Sequence, residues 1–426
     1  MRSWGVLRGT AVVVATLATL AVVAAVGYRT LRPQDMLTTP TTPYPEKVLI
    51  TDERPHAELR AAPLIVDGRL RVYAEKWRVW SDGPVGERYE STPYWALRRW
   101  PAEVVGVVAT ETTGGPVVVT QWSDGKIIAL DARAGAVAWR AEVPITARGY
   151  DGRRTGASIV YEPRFLVVAH PPGRVVVIVT GADALRAFDA TTGAELWWRS
   201  LGCQPDVWTS RGLVVVPACD TNAFTAVAAA SGREVATRRL PETGGRPKVA
   251  LCRLGRSDCP VVTAGDRVWE LTVDAGLVEV PPLERGAVLA RDRILVYPGS
   301  TGVTARRLDS TSPMWRWTGK GRLIAADPVG VYLLSEDHTI LGLNPLNGGL
   351  AVLGCASMEP NEIWVVGHVH PTGDGYIAVE RVTGAPATGT DDEYYFGPRP
   401  VALVELYAPT KLPVWPGKFA ACNPDD

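Results

Sequence analysis

The chain has 426 residues, with 45 Lys and Arg against 45 Asp and Glu. That length supports a large core, and the charge balance leaves no global pull on nucleic acid. With 42 Gly, 34 Pro and 15 Trp but only 4 Met, the composition reads as all-β with many turns.

Residues 1–9 are short and basic. Arg2, Arg8, Arg29 and Arg32 are the only charges before residue 34, which leaves 41 basic and 45 acidic groups beyond them. Residues 10–27, TAVVVATLATLAVVAAVG, carry no charge. As a helix they reach about 27 Å, close to the roughly 30 Å hydrocarbon core of a bilayer. They predict one transmembrane helix acting as a signal anchor, with a cleaved signal peptide as the alternative. The resulting expectation is a single-pass protein of the cell membrane, touching the membrane through residues 10–27. Its body would lie on the extracytoplasmic side, or be secreted if the signal is cleaved. Residues 28–46 contain Pro40, Pro43 and Pro45 among threonines and predict an extended spacer.

Residues 47–426 carry internal repetition. DGKIIALDARAGAVAW spans 124–139 and ADALRAFDATTGAELW spans 182–197. Asp131, Gly135 and Trp139 share the spacing of Asp189, Gly193 and Trp197. An apolar strand ends at the Asp, whose side chain can cap backbone N–H groups of a tight turn. The Gly permits positive φ, and the next strand returns carrying a Trp that can pack between sheets. Weaker copies are Leu308-Asp309 with Trp317, Asn344 with Gly348 and Val352, and Ala228 with Gly232 and Ala236. Thr272–Gly276 marks a further turn. Strands are predicted at 213–217, 261–265, 293–298 and 330–334. Units then begin near 64, 104, 158, 207, 248, 286, 320 and 362, which suits four short strands each. The fold class is therefore an all-β propeller of seven or eight four-stranded blades, eight favoured, preceded by the transmembrane helix. A strand near Lys47–Ile50 is expected to complete the last sheet and a C-terminal tail to follow it.

The strand–Asp–turn–Gly–x3–Trp cassette resembles the repeats of PQQ-like, quinoprotein-type propellers, over roughly residues 60–410. That family includes quinone-dependent dehydrogenases and non-enzymatic scaffolds of the BamB type. The Ala-, Val-, Arg- and Gly-rich composition resembles an actinobacterial, membrane-anchored member. The dehydrogenases have a vicinal Cys-Cys disulfide and a calcium site beside the quinone. This chain has no adjacent cysteines and no counterpart of the calcium ligands. A BamB-type lipoprotein has a cysteine at the end of its signal, whereas the first cysteine here is Cys203.

The six cysteines predict structural disulfides, paired by proximity as Cys203–Cys219, Cys252–Cys259 and Cys355–Cys422. His368 and His370 share one face of a strand and could hold a metal with a third ligand; a polar strand face is the plainer reading. His170 and His338 fall in turns. Asp391, Asp392 and Glu393 precede Tyr394 and Tyr395 in an insertion, either a solvated loop or a contact site. Trp77, Trp80, Tyr89, Tyr94, Trp95 and Trp100 divide between core and a contact patch on the first blade. No catalytic, cofactor-binding or metal residue is assigned, and no cofactor is expected. The expected function is a non-catalytic binding or scaffold propeller with a protein partner and no nucleic acid. The alternatives are a quinone-dependent oxidoreductase or a ligand-sensing or hydrolytic propeller with its site at the axial channel.

Overall fold

The computed structural model describes residues 16, 19–20, 22–23, 34–47, 56–145, 149–241, 247–253, 255–291, 293–336, 338–356, 362–372, 375–384 and 394–405. Eight antiparallel sheets make eight blades. Their first strands are Leu64–Val66, Val104–Thr112, Leu166–Ala169, Trp208–Ser210, Lys248–Ala250, Val288–Leu289, Arg322–Ala326 and Val365–Pro371. The first strands of blades 1 to 4 and of blades 6 to 8 touch their neighbours, which places them at the axis. Fourth strands such as Glu195–Ser200 and Glu234–Arg239 alternate exposed with half-buried residues, the pattern of an outer rim. Seven of the eight first strands start within three residues of the predicted unit starts. The exception is blade 3. The stretch read as its start, near 158, is the short helix Ala157–Tyr161, and the strand follows at Leu166.

Each blade locks onto the next through the repeated cassette. Asp131 Oδ1 accepts the Arg133 and Ala134 N–H groups, and Asp189 Oδ1 accepts those of Thr191 and Thr192. Gly135 and Gly193 both have positive φ. The Trp of one blade lies beneath the Gly of the next blade's turn. Trp95, Trp139 and Trp197 donate their indole N–H to the carbonyls of Ala132, Ala190 and Ala229. A Cβ on Gly193 would stand 2.5 Å from the Trp139 ring, so the Gly is required twice over, by φ and by the ring. A register irregularity falls just ahead of Trp139 and of Trp197.

Blade 6 departs from the predicted copy. Trp315, not Trp317, fills the slot: it donates to Pro345 O and lies against Gly348 of blade 7. Ala305 opposes Trp315, so Arg307 takes the Asp position and Asp309 pairs with Arg307 and Arg293 instead. In blade 4 the slot holds Ala236, and Arg238 Nε supplies the hydrogen bond, to Ala275 O of blade 5.

The ring closes with an N-terminal strand, as expected, but with a later one. His56–Leu59 pairs with Val401–Glu405 and forms the outer strand of blade 8. Residues 48–50 lie outside the described residues. Mixing the two ends into one sheet removes the free edges that an open ring would leave. Within the predicted spacer, Gln34–Thr38 pairs with Trp95–Trp100 as a fifth, outermost strand of blade 1. Asp35 fixes it by ion pairs to Arg99 and to Arg140 of blade 2.

The expected transmembrane helix is corrected. Among the described residues no helix is long and apolar enough to cross a membrane. Of residues 10–27 only Thr16, Thr19, Leu20, Val22 and Val23 are described, helical and exposed. A span needs about 20 consecutive apolar helical residues. The signal anchor, the membrane contact through 10–27 and the single-pass placement in the cell membrane all rested on that helix and fall with it.

The interlock is testable by double mutation. Trp139→Ala should cost about 3–5 kcal/mol, from lost burial and the cavity it leaves. Gly193→Ala should cost at least roughly 1–3 kcal/mol in the native background. It should cost less once Trp139 is Ala, because the ring it strikes is gone. Denaturant unfolding of the four proteins measures this; strictly additive losses would refute the interlock.

Candidate functional site at the axial mouth

In a four-stranded meander the second-to-third turns and the links between blades lie on one face of the ring. The first-to-second and third-to-fourth turns, including the Asp–Gly cassettes, lie on the other. The candidate site is on the linker face, where residues 143–165 join blade 2 to blade 3. This connection is far longer than an ordinary link.

The segment is tied to many blades. Tyr150 N–H donates to Glu103 Oε2 at 2.7 Å, and Tyr150 OH to Ala74 O at 3.3 Å. Thr155 accepts the Ala62 N–H through its carbonyl and donates its hydroxyl to Glu380 of blade 8. Arg154 donates to Gly397 O at 2.9 Å. Tyr161 donates to Pro63 O and stacks on His370, ring centroids 4.5 Å apart and nearly parallel. Gly156 has positive φ and passes so close to Ala74 O that a Cβ would stand 2.4 Å from it. On the far side, Gly255 of blade 5 packs on Tyr161 O. Blades 1 and 5 are opposite one another in an eight-membered ring, so a segment touching both crosses the axis. Residues 251–259, closed by the Cys252–Cys259 disulfide, reinforce it. Their backbone pairs with Thr209, and Ser257 Oγ accepts the Val168 N–H, which places them against the first strands of blades 3 and 4.

Three sequence features meet here. His368 and His370 do share a side of the blade 8 inner strand, with ring centroids 6.1 Å apart. Tyr394 and Tyr395, from the blade 8 insertion, are buried close to Glu380, while Asp391, Asp392 and Glu393 lie outside the described residues. Burial pushes the Glu380 carboxyl above the ordinary range and outweighs its hydrogen bond from Thr155. Burial, and then the neighbouring His368, push His370 down to about 3. Among the described residues no group of three His, Cys, Asp or Glu side chains is gathered to hold a metal. Thr155, Glu380 and Tyr161 escaped the sequence reading because none stands in a motif and their partners are far away in the chain, 225 residues for Thr155 with Glu380 and 98 for Tyr161 with Pro63.

The other candidates are scattered. His338 stacks on Trp364, and His170 meets the Thr110 hydroxyl. Trp80 stacks on Tyr73, Trp95 is in the core, and Tyr94 donates to Arg133 O. Trp77 and Trp100 are 38% and 46% exposed on the linker face, while Tyr89 lies in the turn region of the opposite face. The first-blade aromatics therefore do not form one patch. Cys203–Cys219 is bonded as predicted and joins two linker-face loops of blades 3 and 4. Cys422 lies outside the described residues.

Residues 52–238, from the closing strand through blade 4, match the PQQ_2 family, described as outer membrane protein assembly factor BamB. No curated protein matches the chain. Among solved structures, BamB from Moraxella catarrhalis is 14% identical, covering 88% of this chain and 99% of its own, with a TM-score of 0.42. The C-terminal WD40 domain of Sif2 is 13% identical, covering 87% and 99%, with a TM-score of 0.45. Sqt1 from Saccharomyces cerevisiae is 10% identical, covering 85% and 98%, with a TM-score of 0.43. These likenesses concern the fold alone.

The pH response of the mouth follows from His370. Its folded pKa, about 3, lies below the ordinary 6.5, so the unfolded chain binds the extra proton first. Its contribution is present above pH 6.5 and is lost as pH falls toward 3. Glu380 acts in the opposite sense: its contribution is present at low pH and lost as pH rises through its raised pKa. From His370 alone, stability should fall on acidification by at most about 1.4 kcal/mol per pH unit. Unfolding curves of the wild type and His370→Phe across that window should diverge, the variant giving the flatter line.

Proposed function

We propose that the chain is a non-catalytic binding scaffold whose partner contacts lie on the loops of the linker face. One observation carries this reading. The axial mouth is filled by the chain's own residues 149–163, anchored on blades 1, 2, 5 and 8. Thr155, Tyr161 and Arg154 spend their bonds on the chain itself, on Glu380, Pro63 and Gly397, while Glu380 Oε2, His370 Nε2 and the Tyr394 hydroxyl stay buried without a partner among the described residues. The partial match to a family described as an assembly factor is in keeping with a scaffold.

The residues present do not fit a quinone with calcium. Tyr161 stacked on His370 fills the place on the axis that a planar cofactor would need. The observed disulfides close 16-residue and 7-residue separations rather than joining neighbours.

The test is a titration of the purified full chain with pyrroloquinoline quinone and calcium, read by absorbance. No saturable uptake is expected. One-to-one saturable uptake that Tyr161→Ala alters would overturn the scaffold reading in favour of the oxidoreductase.

A further inference from the structure

A groove of about 560 Å³ runs between blades 6 and 7 on the linker face, lined by residues 298–302 and 319–323. The first stretch turns between the second and third strands of blade 6. The second links its outer strand to blade 7. Trp317 sets the approach of the two loops. A Cβ on Gly319 would stand 2.4 Å from its ring, and one on Gly302 would stand 2.1 Å from its carbonyl oxygen. These glycines are thus explained by packing. The charges are not.

Lys320 and Arg322 are exposed, and neither forms an ion pair among the described residues. The lining contains no acid. Several arginines elsewhere on the ring are matched. Arg186 meets Glu195, Arg199 meets Glu234, Arg267 meets Glu279, and Arg211 and Arg293 share Glu270. A third cation stands beside the groove: Gly286 packs on Pro298, which brings the adjacent Arg285 to its edge. Arg285 is exposed and unpaired among the described residues as well. Ser300 and Thr301 add hydroxyls at the rim.

We propose that this groove docks an extended acidic segment of a partner protein, with Lys320 and Arg322 receiving its carboxylates. An open trough suits a chain lying along it better than a small ion, which would stay largely hydrated there. Glycine-lined walls let a peptide backbone come close, and unpaired cations supply orientation and association rate. This deepens the scaffold reading and rests on it.

The probe is a short fluorescein-labelled peptide of alternating Asp and Ser, with an Asn and Ser peptide as its uncharged counterpart. Anisotropy with the full chain should show binding of the acidic peptide alone, weakening as salt is raised. Lys320→Glu/Arg322→Glu should weaken it about tenfold or more, as expected for two exposed charge contacts turned repulsive. Arg88→Glu/Arg233→Glu, the same charge change on the opposite face, should leave it within about twofold, since distant exposed charges are screened. Thermal unfolding should show both variants folded; if the groove variant is not, Lys320→Gln/Arg322→Gln takes its place. Absence of binding, equal binding of both peptides, or indifference to groove charge would overturn the proposal. Displacement by inorganic phosphate at matched charge concentration would show a small-anion site and overturn the peptide assignment. None of these outcomes alters cofactor uptake, so the scaffold reading is judged separately.

Discussion

The propeller depends on one contact made again and again: a tryptophan of one blade held under a glycine of the next. Trp95 under Gly135, Trp139 under Gly193 and Trp197 under Gly232 form a continuous series from blade 1 to blade 4. Each contact buries a large ring, satisfies its N–H on a turn carbonyl, and needs a residue with no Cβ in a left-handed turn. It therefore couples the turn of one blade to the rim strand of another. Neighbouring sheets cannot slide without losing the ring, the hydrogen bond and the turn together. Blade 6 to blade 7 repeats the device with Trp315 and Gly348. Between blades 4 and 5 it is reduced to an arginine hydrogen bond, Arg238 to Ala275.

A ring made of pairwise locks needs its last lock closed, and the axis needs filling. The outer strand His56–Leu59 does the first by joining blade 8 from the other end of the sequence. Arg381 strengthens that seam by pairing with Glu58 of the closing strand and with Glu362. The axial segment does the second. Eight inner strands leave a wider centre than small side chains can fill. Here a helix of one turn, two tyrosines and a disulfide-closed loop occupy it. Their bonds reach blades that are not neighbours, so the plug adds cross-ring ties that the interlock cannot supply.

How much of this was legible in the sequence follows from its repetition. Asp131, Gly135 and Trp139 announce themselves because Asp189, Gly193 and Trp197 copy them at the same spacing. Blade count and most unit starts followed from that copying. Blade 3 was misplaced because residues 149–165 are an insertion that happens only once. Nothing in SIVY at 158–161 distinguishes a plug helix from a strand. Blade 6 was misread by two residues because Trp315 and Trp317 are both tryptophans on one rim strand. Only the strand register decides between them. Glu380 sits beside Arg381 in the strand Tyr376–Val382, and its partner Thr155 is 225 residues away. A pairing across that distance, closed by the ring itself, leaves no local pattern to read.

The same interlock sorts the two faces of the disc. The Asp–Gly turns all lie on one face and are held there by rings from the neighbouring blades, so they tolerate little variation in length. The linker face carries no such lock. It is where the chain places the 143–165 segment, the blade 8 insertion with Tyr394 and Tyr395, the Cys203–Cys219 bridge and the groove with Lys320 and Arg322. The opposite face varies where the cassette is missing. Blade 1 replaces the turn by residues 83–94, ordered around the buried Arg71–Asp82 pair, and blade 5 sends residues 251–259 into the axis. Variation is thus confined to positions that no tryptophan holds. The proposed placement of partner contacts on the linker face has that mechanical reason: a loop there can change without unlocking two blades.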